Sequence, residues 1–227
     1  DTISYDTYFQ NVTLPFNVVF DSLKAGMGRN EALNLLVSSI PNWYFTSVKQ
    51  MGGIGITKPG ETAQATLNLI PGTYAMECYL KTNGVFHTSL GMIRPLTVTR
   101  DTTGASPPEA NINLTLSNFK IESEGTINQG KNTVAVHFKE HPGAGLGNDV
   151  HVVRMNDTTS IDDIIAWLDW MNIEGLQSPA PVEFLGGTQE MPAGSTSYFT
   201  VNLTPGNYAW IAESTSDRGA VLEFSVE

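Results

Sequence analysis

Cys78 is the only cysteine in this chain of 227 residues, and it closes the run Pro71-Gly72-Thr73-Tyr74-Ala75-Met76-Glu77-Cys78. His87 follows, and Met92 stands five positions later, behind Gly91. A soft thiolate, an imidazole and a thioether suit copper better than hard cations such as calcium or magnesium. A trigonal copper centre with a long axial methionine takes two histidines, whereas residues 1–100 contain only His87. A thiol nucleophile is the other chemistry open to Cys78. On a buried strand without a cationic partner, such a thiol has a raised pKa and is inert. The remaining histidines are His137, His141 and His151. His137 and His141 flank Phe138-Lys139-Glu140 and make a metal pair only if the chain folds them toward each other. Otherwise they are solvated or hydrogen-bonded.

The elements that must position these residues are short strands. Alternation places Tyr74, Met76 and Cys78 on one face, expected to be the core face. The strand is written twice. Leu67-Asn-Leu-Ile-Pro-Gly-Thr-Tyr-Ala-Met-Glu-Cys78 returns 134 residues later as Val201-Asn-Leu-Thr-Pro-Gly-Asn-Tyr-Ala-Trp-Ile-Ala212. The same offset pairs Gly52-Gly53 with Gly186-Gly187, and Gly60 with Gly194. The chain reads as two copies of one β-rich unit, 1–100 and 111–227, joined by a linker at 101–110 with a double proline. Only the first copy keeps the cysteine; Ala212 replaces it in the second.

Strands are expected at 1–9, 16–20, 62–69, 73–80 and 93–99 in the first copy. In the second they are expected at 111–123, 133–138, 150–155, 196–203, 207–213 and 220–226. Each copy also carries one inserted helix. The first runs from Met27 to Ile40 and stops at Pro41. The second starts with Ser160 as N-cap and Asp163 in its first turn, and Ile161, Ile164, Ile165 and Leu168 form its apolar face. Trp167 and Trp170 are expected to share one side of it and to pack it on a sheet. The first copy has no counterpart to the leading strand of the second. Its exposed sheet edge is therefore expected to recruit the linker, a further segment or another molecule.

On these residues the chain resembles the cupredoxins, the plastocyanin-like blue copper family. The resemblance rests on Pro-Gly-Thr-Tyr-x-x-x-Cys, on His87 with Gly91-Met92, and on Phe16-Asn17-Val18-Val19-Phe20-Asp21, which is similar to the family strand that follows the first histidine. It implies an all-β chain of two tandem Greek-key sandwiches. It also implies copper near one rim, with Cys78 as thiolate ligand, His87 as imidazole ligand and Met92 as axial ligand, and electron transfer with a redox partner. Phe16 occupies the place of the family's first histidine, and the loop from Cys78 to His87 is longer than in small plastocyanin-like proteins. Two readings follow: copper at an incomplete site in the first copy, or a metal-free structural or cell-surface assembly protein built on the same sandwich, associating through the open edge.

Composition narrows the classes. Net charge is −11 with only 15% charged residues, which argues against binding nucleic acid or anionic lipid. No apolar run reaches the ~20 residues that cross a bilayer. Asp1 at the start, without Met, suits a mature form after cleavage or a recombinant chain, and an extracytoplasmic location is expected. Nucleotide-loop, hydrolase-elbow and zincin motifs are absent, so no enzymatic activity is expected.

Overall fold

The computed structural model describes residues 3–101, 104–143 and 146–227. Helices come first: Tyr5–Tyr8 (α1), a π-helical turn at Phe9–Thr13, Leu14–Lys24 (α2), Arg29–Ser39 (α3) and Asn42–Ser47 (α4). Strands follow at Gln64–Thr66 (β1), Gly72–Glu77 (β2), Lys81–Thr82 (β3), Val85–Phe86 (β4), Ile93–Val98 (β5), Ile112–Ser117 (β6), Lys120–Gly125 (β7), Gly130–Glu140 (β8) and Val150–Arg154 (β9). Helix Ile161–Leu168 (α5) precedes Glu183–Thr188 (β10), Thr196–Leu203 (β11), Gly206–Ile211 (β12) and Val221–Val226 (β13). Among the described residues no helix is long and apolar enough to cross a membrane.

The chain divides into two compact units that do not follow its sequence halves. One gathers Asp1–Val48, Ile70–Thr102 and Asp169–Pro179; the other gathers Lys49–Leu69, Thr103–Leu168 and Ala180–Glu227. Of the expected linker, residues 104–110 carry no helix or strand, and 102–103 lie outside the described residues.

The second unit is the Greek-key sandwich that the resemblance implies, with α5 as its inserted helix. Its sheets run β1-β11-β8-β6-β7 and β10-β9-β12-β13, with β6 parallel to β8 and the other pairs antiparallel. The chain crosses between sheets from β8 to β9, from β10 to β11 and again from β11 to β12. Alternating residues of both sheets meet inside: Leu114, Leu116, Val136, Phe138, Val152, Leu203, Tyr208 and Trp210 are all fully buried. The segment expected as one strand at 111–123 is a hairpin, because Asn118 turns the chain at φ 48° between β6 and β7. At the start of α5, Ser160 and Asp163 hydrogen-bond reciprocally as a cap. Gly187 explains one glycine pair of the repeat: a Cβ there would sit 2.1 Å from the Val150 carbonyl oxygen, so β9 and β10 approach only without a side chain.

The first unit departs from expectation. Its strands form only two two-stranded sheets, β2·β5 and β3·β4. Residues 5–24, expected as strands at 1–9 and 16–20, are helical (residues 1–2 lie outside the described part). Their β-branched and aromatic composition suggests strand. Yet Val12, Phe16, Val19 and Leu23 recur at helical spacing, and that stripe packs with Ala32, Leu36, Ile40 and Met171. Burial of one continuous face outweighs local β preference. The helix expected at 27–40 is present as α3, and Ile40 turns extended ahead of Pro41.

Trp167 and Trp170 do not share a helix face. α5 ends at Leu168, Trp167 packs 5.0 Å from Phe184 in the second unit, and Trp170 lies in the first unit against Phe16. The segment carrying Trp170 is pinned by two charges. Arg29 forks onto Asp169 at 2.5 and 2.9 Å. Lys81, only 2% exposed, donates to the carbonyls of Trp170 and Asn172 and lies 4.9 Å above the Phe20 ring.

Candidate copper site

Three local features bring Cys78, His87 and Met92 together. β2 and β5 pair from Gly72↔Val98 to Glu77↔Ile93, and the ladder runs one step further: the Cys78 N–H donates to the Met92 carbonyl at 3.1 Å. Between these strands, Asn83 and Gly84 take φ of 51° and 68°, the two-residue primed turn that suits a tight hairpin. That turn folds β4 back on β3, so the His87 N–H reaches the Leu80 carbonyl at 2.7 Å. Gly91, at φ 97°, then reverses the chain, and the Met92 N–H closes on the His87 carbonyl at 2.9 Å.

The side chains of Cys78 and His87 converge accordingly. Cys78 Sγ lies 3.5 Å from His87 Nδ1, and His87 Nε2 lies 2.9 Å from Thr82 Oγ1. Burial pushes the Cys78 thiol up; the charge of Glu77 pushes the same way, and a hydrogen bond from the Leu80 N–H opposes them. Met92 is 55% exposed and Met76 61%, while Tyr74 and Cys78 are half-buried, so the face carrying Tyr74, Met76 and Cys78 does not form the core expected of it. Among the described residues the first unit holds no sheet beyond β2·β5 and the two-residue strands of β3·β4.

The donors fit a soft metal. With about 2.3 Å to a thiolate and about 2.0 Å to an imidazole nitrogen, a tetrahedral ion sets sulfur and nitrogen roughly 3.5 Å apart. Thr82 occupies the outer position that fixes the ring of a ligating histidine. The second imidazole of a blue-copper plane is missing. Phe16 does not stand on a strand near the site; it lies in α2, edge-on to Phe86 at 5.6 Å and to Trp170 at 5.9 Å.

The other histidines are committed elsewhere. His137 Nδ1 meets Thr196 Oγ1 at 3.3 Å, while His141 meets the Met191 carbonyl and the Asn148 N–H. His151 belongs to a group that sequence reading missed. Donor atoms of Asp149, His151 and Glu213 lie within 4.8 Å of one another in the second unit. His151 Nδ1 accepts the Ile56 N–H at 3.1 Å, so its proton sits on Nε2 and points at Asp149 Oδ2, 3.1 Å away. The Glu213 N–H satisfies the other oxygen of Asp149 at 2.7 Å. An ion at Nε2 would require His151 to give up Ile56, so this trio reads as a closed hydrogen-bond network. Its separations in sequence hid it; the only hint was a lone histidine among apolar strand residues.

No protein-family model matches the chain, and no curated protein does. Among solved structures, auracyanin B is 14% identical and covers 54% of this chain and 92% of its own, with a TM-score of 0.39. Dithionite-reduced auracyanin from the photosynthetic bacterium Roseiflexus castenholzii is 13% identical over 51% of this chain and 94% of its own, at 0.36. Rusticyanin from Thiobacillus ferrooxidans is 17% identical over 51% of this chain and 76% of its own, at 0.30. Likeness this distant carries no weight for the site or its chemistry.

Proposed function

We propose that the first unit binds one copper ion through Cys78, His87 and Met92, as a binding protein and not an enzyme, acting outside the cytoplasm. The observation that carries this reading is the 3.5 Å approach of the only thiol to the only histidine of its unit. Bound copper supplies one-electron chemistry, and a redox partner is the expected correspondent. The chain's own part is to surrender the Cys78 proton to solvent, to aim His87 through Thr82, and to offer the thioether of Met92 from the opposite strand.

The test is metal uptake. Titration with Cu(I) and Cu(II) is expected to load one copper per chain, and Cys78→Ser to abolish the loading and any thiolate-to-copper absorption. Failure of the native chain to take up copper, or unchanged uptake by Cys78→Ser, overturns the reading.

A metal-free assembly role is the second reading, favoured by the β2·β5 ribbon. A two-stranded sheet leaves an outer edge on each strand, and here it also exposes Met76 and Leu96. Concentration-dependent oligomers of the copper-free protein would favour it.

A further inference from the structure

We infer that Met76 is a further ligand, and that the site holds Cu(I) as cargo between thioethers in place of cycling it between oxidation states. This rests on the copper reading of Cys78 and His87. It begins with register. Glu77 pairs with Ile93, and Cys78 sits opposite Met92 one step further along. Met76 pairs with Arg94, which makes it the diagonal neighbour of Met92 on the same face of the ribbon. Diagonal positions lie ~7–8 Å apart at the backbone, within reach of two long thioether side chains. By register, positions 76, 78 and 92 fall on one face of the ribbon, and His87 Nδ1 lies 3.5 Å from Cys78 Sγ.

The donor set then decides the metal's oxidation state. Cu(II) favours tetragonal nitrogen and oxygen ligands, whereas thiolate and thioether ligands select Cu(I). Here the fourth donor that a blue-copper plane would take from a second imidazole is a sulfur. Both thioethers are more than half exposed, at 61% and 55%. Apolar side chains of that size at that exposure gain little from burial, and their openness suits ligand exchange with soft donors of a partner. Arg94 stands on the same face, its Nη1 held by the carbonyls of Gly91 and Ile93. Its positive charge opposes a dication twice as strongly as a monocation. Loading requires no electron: Cu(I) replaces the thiol proton of Cys78, and that proton leaves to solvent.

The experiment uses the full chain under anaerobic conditions, with a chromogenic Cu(I) chelator as competitor and Ag(I) as a redox-inert probe of the same softness. Met76→Leu is expected to lower Cu(I) and Ag(I) affinity about tenfold or more, at least the scale seen when a metal's outer shell is disturbed. X-ray absorption at the copper edge is expected to count three sulfurs in the native chain and two in Met76→Leu. Unchanged affinity with an unchanged sulfur count in Met76→Leu overturns this inference and leaves the Cys78–His87 reading standing. Equal or tighter binding of Cu(II) by the native chain overturns it as well. Loss of the underlying reading looks different: neither the native chain nor any variant takes up metal.

Discussion

β2 and β12 are the same strand in two settings. Each opens at a Pro-Gly, and each carries a tyrosine whose hydroxyl bonds back to a carbonyl four residues earlier: Tyr74 to Ile70 at 2.5 Å, and Tyr208 to Thr204 at 2.7 Å. Each pairs with a following antiparallel strand over six positions. The settings then diverge. β12 is flanked by β9 as well as β13 and faces a second sheet, so Tyr208 and Trp210 are fully buried. Trp210 stacks on Phe224 at 4.7 Å and meets Phe199 edge-on. β2 has only β5. Met76, at the position matching Trp210, is 61% exposed. The connection also differs, with 212–220 in the second unit against 78–92 in the first, six residues longer. Local sequence therefore sets turn, strand and tyrosine bond alike, while the presence of an opposing sheet decides whether the face becomes core or stays exposed.

The largest effect separating the two settings is expected at that matched pair. Trp210→Ala should cost the second unit about 3–5 kcal/mol, the range for emptying a buried aromatic site. Met76→Ala should stay within roughly 0.5 kcal/mol, as exposed substitutions do. Denaturant unfolding of both variants checks this, and similar losses would break the distinction between the buried and the exposed setting. Next comes the outer shell of the proposed copper site. Thr82→Val removes the partner of His87 Nε2 and is expected to weaken copper binding about 10–100-fold. Unfolding midpoints should hardly move, since Thr82 is exposed. Competition titration beside a melt separates the two outcomes.

The second unit was largely legible because its signals are local. Pro205-Gly206, the alternation along β11 and the Ser160–Asp163 cap each declare an element within a few residues. The Cys78–His87 approach was legible for the same reason: Asn83-Gly84 and Gly91 are turn residues, and together they fold a short segment back on itself. What escaped depends on distant partners. α2 reads as strand until Ala32, Leu36 and Met171 arrive to cover its stripe. The return of Asp169–Pro179 to the first unit rests on Arg29 and Lys81, more than eighty residues away in sequence. Met76 was placed in a core because strand alternation assigns a common face and says nothing about what lies opposite.

The smallest expected difference is also the sharpest, because it compares one chemical change in two copies of one motif. Tyr208→Phe removes a hydroxyl that donates to the Thr204 carbonyl at 2.7 Å and accepts the Thr204 N–H at 3.2 Å; the tyrosine is 1% exposed, whereas Thr204 itself is exposed. Two hydrogen bonds to the exposed Thr204 turn are lost together, so the cost should be about 1–3 kcal/mol, twice the net worth of one bond. Tyr74→Phe deletes the matching bond to Ile70, but Ile70 is 66% exposed and its carbonyl turns to water instead. Only the net worth of a hydrogen bond is lost there, about 0.5–1.5 kcal/mol at most. Chemical denaturation monitored for each unit reads the difference directly. Equal costs would mean that the tyrosine bond stabilises the turn itself, independent of burial, and that the two copies share more of their energetics than their surroundings suggest.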